Sequence, residues 1–454
     1  MNIYCSGIGG IGLSAYASVQ QALGHRVSGS DSGKSDLLDD LRGQGMTITT
    51  LQDGSAVPAD VDLFVYSEAV PPDHPERGRA RELGIPSCSY FQALGDLSRP
   101  SFVIAVCGTH GKSSTTAMAA RVLLSAGKDP TVIVGTKVPE LEGPAQPDGR
   151  SPARHGTGGG GRNWRKGGGK IFLLEACEYR KSFHFLSPDL ILLTTVDGDH
   201  FDYYADVAAY EEAFMEFFRL LPVEGSVVLH GRDPASLRVA AAAGCAVVDA
   251  DAHSLPALSV PGRHMQENAC LVLGMAQVLG ISQDSALSSL AGFQGTWRRM
   301  EVKGIRPDGV LVVDDYAHHP REILATIAAM KERYPGRRLV CVFQPHTHDR
   351  VQKLYDAFTQ AFRSADVVVI PNIYAARKES DVGDIDLPMF LRDIRYGSSV
   401  TVFGGYTLEE AETFLNEEVL HAGDLLLCMG AGDITGLAER MMTQPPSAAV
   451  PTPG

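Results

Sequence analysis

Two stretches of this chain hold residues suited to gripping phosphate. The first is Gly108-Thr109-His110-Gly111-Lys112-Ser113-Ser114, directly after the apolar run from Phe102 to Val106. Such a run reads as a buried parallel strand, and the pattern beyond the loop reads as a helix through Ser125. Glycines let backbone N–H groups close round an anion, and a helix N-terminus adds partial positive charge. Lys112 is placed to neutralise phosphate, and Ser113 or Ser114 to bind an accompanying Mg²⁺. The spacing is a shortened GTxGK[ST] form, because the longer phosphate loop would need a glycine where Val106 stands.

The second stretch is Gly7-Ile8-Gly9-Gly10-Ile11-Gly12, between a strand starting at Asn2 and a helix expected over Leu13 to Leu23. A second strand ends at Asp31, 19 residues after Gly12. Glycines of this kind allow backbone to approach a pyrophosphate, and the acid then meets a ribose hydroxyl. Any nucleoside diphosphate satisfies that geometry, so a UDP-sugar and a nicotinamide cofactor are both admitted. Gly9, Gly10, Ile11, Gly12 and Asp31, with Ser67 after the apolar strand Val61 to Tyr66, are the candidate ligand-binding residues here.

Carboxylates fall where a metal beside ATP would need them. The run Ile171 to Leu174 delivers Glu175 through Glu178, and Leu190 to Val196 delivers Asp197, Asp199 and His200. Further along, strands expected over Gly309 to Val313, Leu339 to Phe343, Val367 to Ile370 and Leu425 to Met429 deliver Asp314 to His319, Gln344 to Arg350, Asn372 to Arg377 and Gly430 to Asp433. Pro320 fits the first turn of a helix over Arg321 to Arg333. The histidine pairs lack metal-ligand spacing, so catalytic zinc is not expected.

Strands and helices alternate along the whole chain, which implies α/β architecture with doubly wound parallel sheets and ligands at the strands' carboxyl ends. The 454 residues suggest about three domains at ~150 residues each. Boundaries are expected at 98/99 and 297/298, giving domains over 1–98, 99–297 and 298–442 and a disordered tail over 443–454. The segment Pro139 to Gly169, with glycine runs at 158–161 and 167–169, reads as a mobile loop. A net charge of −14 argues against nucleic acid or an anionic membrane as partner. No secretory leader or apolar run of ~20 residues is evident, so a cytoplasmic protein is expected. A monomer or weak homodimer is the separate expectation for its assembly. The eight cysteines lie far apart, mostly in apolar segments, and read as buried free thiols.

Taken in order, GIGGIG at 7–12, GSD at 29–31, GTHGK at 108–112, EACEYR at 175–180, DH at 199–200, GRH at 262–264 with Asn268, RR at 298–299, DDYAHHP at 314–320, FQPH at 343–346 with Arg350, IYAAR at 373–377 and GAGD at 430–433 resemble the Mur ligase family. The resemblance spans nearly the whole chain. It implies a Rossmann-like N-terminal domain for a UDP-sugar, a central ATPase-type parallel-sheet domain, and a Rossmann-like C-terminal domain that closes. It further implies ATP and Mg²⁺ as cofactors, with Gly108 to Ser114 cradling phosphates and Ser113, Glu175 and His200 holding the metal. Asn268, Arg299, Asp315 and Tyr316 become nucleotide contacts, and Gly9 to Gly12 with Asp31 face uridine diphosphate. His346 and Arg350 orient the incoming amino acid. The implied activity joins L-alanine to UDP-N-acetylmuramate. Phe214 stands where ligases adding later residues carry a modified lysine, 14 positions after His200, which fits the alanine-adding branch. Met265 replaces the usual adenine-facing Asn, and Asp349 is an unusual neighbour for Arg350. The rival readings are a ligase recycling a tripeptide, a nicotinamide-dependent oxidoreductase, and a non-catalytic nucleotide switch.

Overall fold

The computed structural model describes residues 1–33, 35–141, 161–374 and 384–443. Three sheets form, and their central strands, such as Phe102–Cys107 and Leu339–Phe343, are unbroken apolar runs. The first sheet runs Thr47–Thr49, Arg26–Ser30, Asn2–Ser6, Leu63–Tyr66, Ser87–Ser89, all parallel. The helix Ile11–Ala22 follows the first glycine turn, starting two residues earlier than the apolar pattern suggests. Gly7 has φ of +77°, and a Cβ there would lie 2.9 Å from that of Ser67, so glycine is required at this turn.

The second sheet has the order Ala246–Asp249, Ser226–Leu229, Leu190–Leu193, Phe102–Cys107, Ile171–Glu175, Thr131–Val138, Arg162–Arg165. Only the last pairing is antiparallel. Phe102–Cys107 lies centrally, and Val103 to Cys107 have no exposure, as expected of a strand covered on both faces. Two expectations need correcting here. The strand from Leu190 stops at Leu193, and part of the supposed loop, Arg162–Arg165, is an edge strand paired to Thr131–Val138. Its charged sequence carries no strand signature; the neighbouring strand supplies the pairing.

The third sheet has the order Glu301–Ile305, Leu311–Asp315, Leu425–Met429, Leu339–Phe343, Val367–Ile370, Thr401–Gly404, antiparallel only at its first pair. Pro320–Arg333 is a helix capped by His319, with Glu322 completing a capping box.

The chain separates into two compact units: Met1–Asp199 with Asp206–Ala257 and Glu267–Gln294, and Gly295 onward with His200–Ala205 and Leu258–Gln266. The first unit holds the first two sheets. Within it the helix Ile11–Ala22 packs on Thr131–Val138 and Arg162–Arg165, and Asn163 Nδ2 donates to the Ile11 carbonyl at 2.5 Å. All eight cysteines are free, five of them buried. Among the described residues no helix is long and apolar enough to cross a membrane. The glycine run at 158–160, residues 375–377 and the tail from 444 lie outside the described residues.

Candidate nucleotide and substrate sites

The turn after Phe102–Cys107 is built from close backbone approaches. Gly108 has φ of +129°, and a Cβ there would fall 2.1 Å from Thr194 Oγ1. Gly111, at φ +82°, caps the helix Lys112–Ser125, and a Cβ there would fall 2.7 Å from Asn268 Oδ1. Asn268 is thereby brought against the loop that the sequence assigns to phosphate. Thr109 N–H donates to the Thr195 carbonyl at 2.8 Å, and His110 N–H to Thr195 Oγ1 at 3.1 Å. His110 Nε2 lies 3.1 Å from an Asp197 carboxylate oxygen.

Register sets the acid. Val106 pairs with Glu175, so the carboxylate emerges one strand over from the loop. Glu175 Oε1 accepts from Ser113 Oγ at 3.1 Å, and Oε2 from Gly135 N–H at 2.9 Å. An all-oxygen pair of hydroxyl and carboxylate suits a hard divalent cation. Of the two candidate serines, Ser113 is the one that meets the acid. Ser114, Thr115 and Thr116 are buried along the helix.

Lys112 lies along its own loop. Its Nζ donates to the carbonyls of Gly108 at 2.5 Å and Thr109 at 3.1 Å, and to Glu178 Oε1 at 3.0 Å. Burial alone would lower its pKa; Glu178, with Cys177 and Glu175 adding to it, more than reverses this, and the ammonium is held charged. Burial, followed by Glu178, pushes the Cys177 thiol up to about 12, which favours its protonated form. Glu178 sits in the EACEYR stretch among the carboxylates grouped with a metal in the sequence, and the structure places it against the lysine. Its position three residues after Glu175 does not by itself disclose that partner.

At the carboxyl end of the first sheet, Gly9 N–H donates to Asp31 Oδ2 at 2.8 Å and Gly33 N–H to Oδ1 at 2.9 Å. Ser67 packs beside Gly7, and a Cβ on Gly12 would strike the Tyr90 ring at 2.8 Å. Gly10 caps and Ile11 opens the following helix. Beneath this turn is a feature the sequence did not disclose. Glu76, fully buried, accepts from Tyr4 Oη at 2.7 Å, Ser6 Oγ at 2.5 Å and Ser30 Oγ at 2.7 Å. Three hydroxyls converging on one carboxylate tie both strand tips to the helix Pro75–Glu82.

The second unit carries the remaining candidates. The Arg299 guanidinium lies 5.1 Å from the Tyr316 ring centroid, and that of Arg298 5.0 Å from it. Asp315, read as a nucleotide contact, is 3% exposed. Its carboxylate accepts from Met300 N–H at 2.7 Å, Ala317 N–H at 2.8 Å and Thr326 Oγ1 at 3.3 Å. The side chain therefore fastens the chain around residues 300 and 317. Burial raises its pKa to about 6, with Arg299 and the two backbone donors acting the other way. His346 stacks on Tyr374 with centroids 5.6 Å apart, and Arg350 Nη1 lies 3.3 Å from His346 Nδ1. Asp349 pairs with Lys353 at 3.0 Å, so its charge is met by a cation one helical turn on. His200 has left-handed backbone at φ +54° and begins a turn whose next residue, Phe201, accepts from Lys353 Nζ at 2.7 Å. Met265 is buried. In the first unit, Phe214 is wholly buried, edge-on to Phe183 with centroids 5.2 Å apart, and serves packing.

Three family models match: the Mur ligase family catalytic domain over residues 2–101, the Mur ligase middle domain over 106–257, and the glutamate ligase domain of Mur ligases over 298–432. A UDP-N-acetylmuramate–L-alanine ligase of Clostridium novyi is 35% identical across 97% of both chains. One from Clostridium perfringens is 34% identical across 96% of both. The crystal structure of UDP-N-acetylmuramate-alanine ligase MurC from Thermotoga maritima superposes with a TM-score of 0.77 at 27% identity, covering 98% of each chain. A murein peptide ligase from Psychrobacter arcticus shares the fold, with a TM-score of 0.71 at 23% identity and 98% coverage of each chain.

Proposed function

Because this chain belongs to the Mur ligase family, we propose that it joins L-alanine to the lactyl carboxylate of UDP-N-acetylmuramate using ATP, a step of peptidoglycan precursor synthesis in the cytoplasm. The observation that carries this reading is the meeting of Lys112, Ser113 and Glu175 around one strand-to-helix turn, in a chain 35% identical over 97% of its length to an alanine ligase.

A carboxylate and an amine do not condense without activation. In the proposed reaction, the γ-phosphoryl of ATP passes to the lactyl carboxylate oxygen, ADP departs, and the alanine amine attacks the acyl phosphate carbonyl. Phosphate then leaves from the tetrahedral adduct and the nitrogen loses a proton. The residues contribute mainly position and charge. The N–H groups of the 108–114 turn, apart from those of Thr109 and His110 that Thr195 holds, cradle phosphate, and Lys112 neutralises it. Ser113 and Glu175 are the oxygen ligands for Mg²⁺, which when bound offsets phosphate charge; His200 joins that set by family resemblance. Asn268, against Gly111, serves the adenine side, and Arg299 with Tyr316 offers a cationic and aromatic nucleotide contact. Asp315 serves that contact by anchoring the backbone on either side of Tyr316. Gly9 to Gly12, Asp31 and Ser67 receive the uridine diphosphate. His346 and Arg350 orient the amino acid, Arg350 toward its carboxylate. The working parts are residues 1–98, 99–297 and 298–442.

Release of ADP by purified protein given UDP-N-acetylmuramate, ATP and Mg²⁺, with and without L-alanine, tests the reading. The expected outcome is release that depends on L-alanine. No release with both substrates present overturns it. Release that requires a tripeptide in place of L-alanine would favour a recycling ligase.

A further inference from the structure

An ammonium has three donors, and all three of Lys112 are occupied by protein oxygens: two carbonyls of its own loop and Glu178 Oε1. To meet a phosphate the lysine must surrender at least one of them. The carbonyls are fixed parts of the turn, whereas Glu178 contributes a separate negative charge, only 1% exposed. That carboxylate is itself held in place. Asp197 N–H donates to Thr109 Oγ1 at 2.8 Å, Thr109 Oγ1 lies 2.9 Å from Tyr210 Oη, and Tyr210 Oη donates to Glu178 Oε1 at 3.4 Å. This polar chain runs in one direction from the segment beyond the strand Leu190–Leu193, through the loop's threonine, to the acid facing the lysine.

We propose that Glu178 is a resident anion, occupying Lys112 in place of phosphate in the nucleotide-free protein and giving the lysine up when a triphosphate binds. It is a positioning residue, acting through Lys112. Two consequences follow from one contact: the buried loop keeps its shape and charge balance while empty, and nucleotide affinity is held down because each binding event displaces a charge-assisted hydrogen bond. The inference rests on the phosphate-loop reading above.

Binding of inorganic tripolyphosphate, measured by titration calorimetry without divalent metal, tests it. Tripolyphosphate lacks sugar and base, and Lys112→Ala measured alongside subtracts any binding away from this loop. Glu178→Gln should bind about tenfold tighter than the unaltered protein while melting at a lower temperature, and Glu178→Asp, one methylene shorter, should fall between. A role confined to stability would lower the melting temperature without tightening the anion. Unchanged or weaker binding in Glu178→Gln overturns the proposal, as does an equal gain in Glu175→Gln, which removes the same charge without freeing the lysine. If Glu178→Gln does not fold, the Asp variant decides: tightening supports, parity overturns. Failure of the unaltered protein to bind tripolyphosphate would bring down the phosphate-loop reading and this inference with it.

Discussion

Ser113 Oγ lies 3.1 Å from Glu175 Oε1, while the other oxygen of that carboxylate is pinned by Gly135 N–H at 2.9 Å. The acid is thus aimed by backbone on one side and presents its free face toward the hydroxyl. A Cβ on Gly135 would fall 2.9 Å from Oε2, so even a methyl group must push the carboxylate aside. Gly135→Ala and Glu175→Gln should each raise the Mg²⁺ concentration for half-maximal ADP release, by about tenfold for the Gln variant and less for Ala. A metal titration at saturating ATP measures this. An unchanged titration in both variants would remove Glu175 from the metal site.

Lys112→Ala should lower kcat for ADP release by about 10²- to 10³-fold, the scale of losing one preorganised charge at a developing phosphate. Binding of UDP-N-acetylmuramate, followed by calorimetry without ATP, should be unaffected, because Gly9 and Asp31, proposed to receive it, follow strands of another sheet. Retained turnover would end the ATP assignment.

Asp315 gives a pH signature. Its folded-state pKa is raised by burial to about 6, above the ~3.9 of an unfolded aspartate. Between those values the folded protein holds more protons than the unfolded chain, so this group's contribution to stability falls as pH rises from about 4 to 6 and levels off above. Asp315→Asn should flatten that part of the denaturation-midpoint profile. It should also lower stability at all pH values, since an amide cannot accept at both oxygen positions that now serve Met300, Ala317 and Thr326. Chemical denaturation across pH 4 to 8 compares the two proteins.

Lys353→Met should unmask the charge of Asp349 beside Arg350 and release the Phe201 carbonyl. The KM for L-alanine should rise about three- to tenfold with a smaller change in the KM for ATP. Steady-state kinetics with each substrate varied in turn separates the two. Lys353→Arg, which keeps the cation, should restore most of the affinity.

Much of this molecule was readable from its residues, for identifiable reasons. The central strands, such as Phe102–Cys107 and Leu339–Phe343, announce themselves as unbroken apolar runs because both faces are covered. The strand-to-helix turn after Phe102–Cys107 was legible because Gly108 and Gly111 both take positive φ there. Edge strands escaped notice: Thr47–Thr49, Ser87–Ser89 and Arg162–Arg165 are short or polar, and their pairing is imposed from the neighbouring strand. Partnerships distant in sequence were invisible too. Nothing near Glu76 points to Tyr4, Ser6 and Ser30, and nothing near Asp315 points to the N–H of Met300. The Asp349–Lys353 pair, by contrast, was available from helical spacing alone.

The helix Tyr90–Ser98, from the first sheet's half of the unit, presents Gly95 so closely to the Phe185 carbonyl that a Cβ would sit 2.2 Å away, while Asn163 grips the start of the helix Ile11–Ala22. Two seams so tight hold the turn at Gly7 to Gly12 and the turn at Gly108 to Ser114 a set length apart. On the proposed reading, a ligand that reaches from one turn to the other has to match that length.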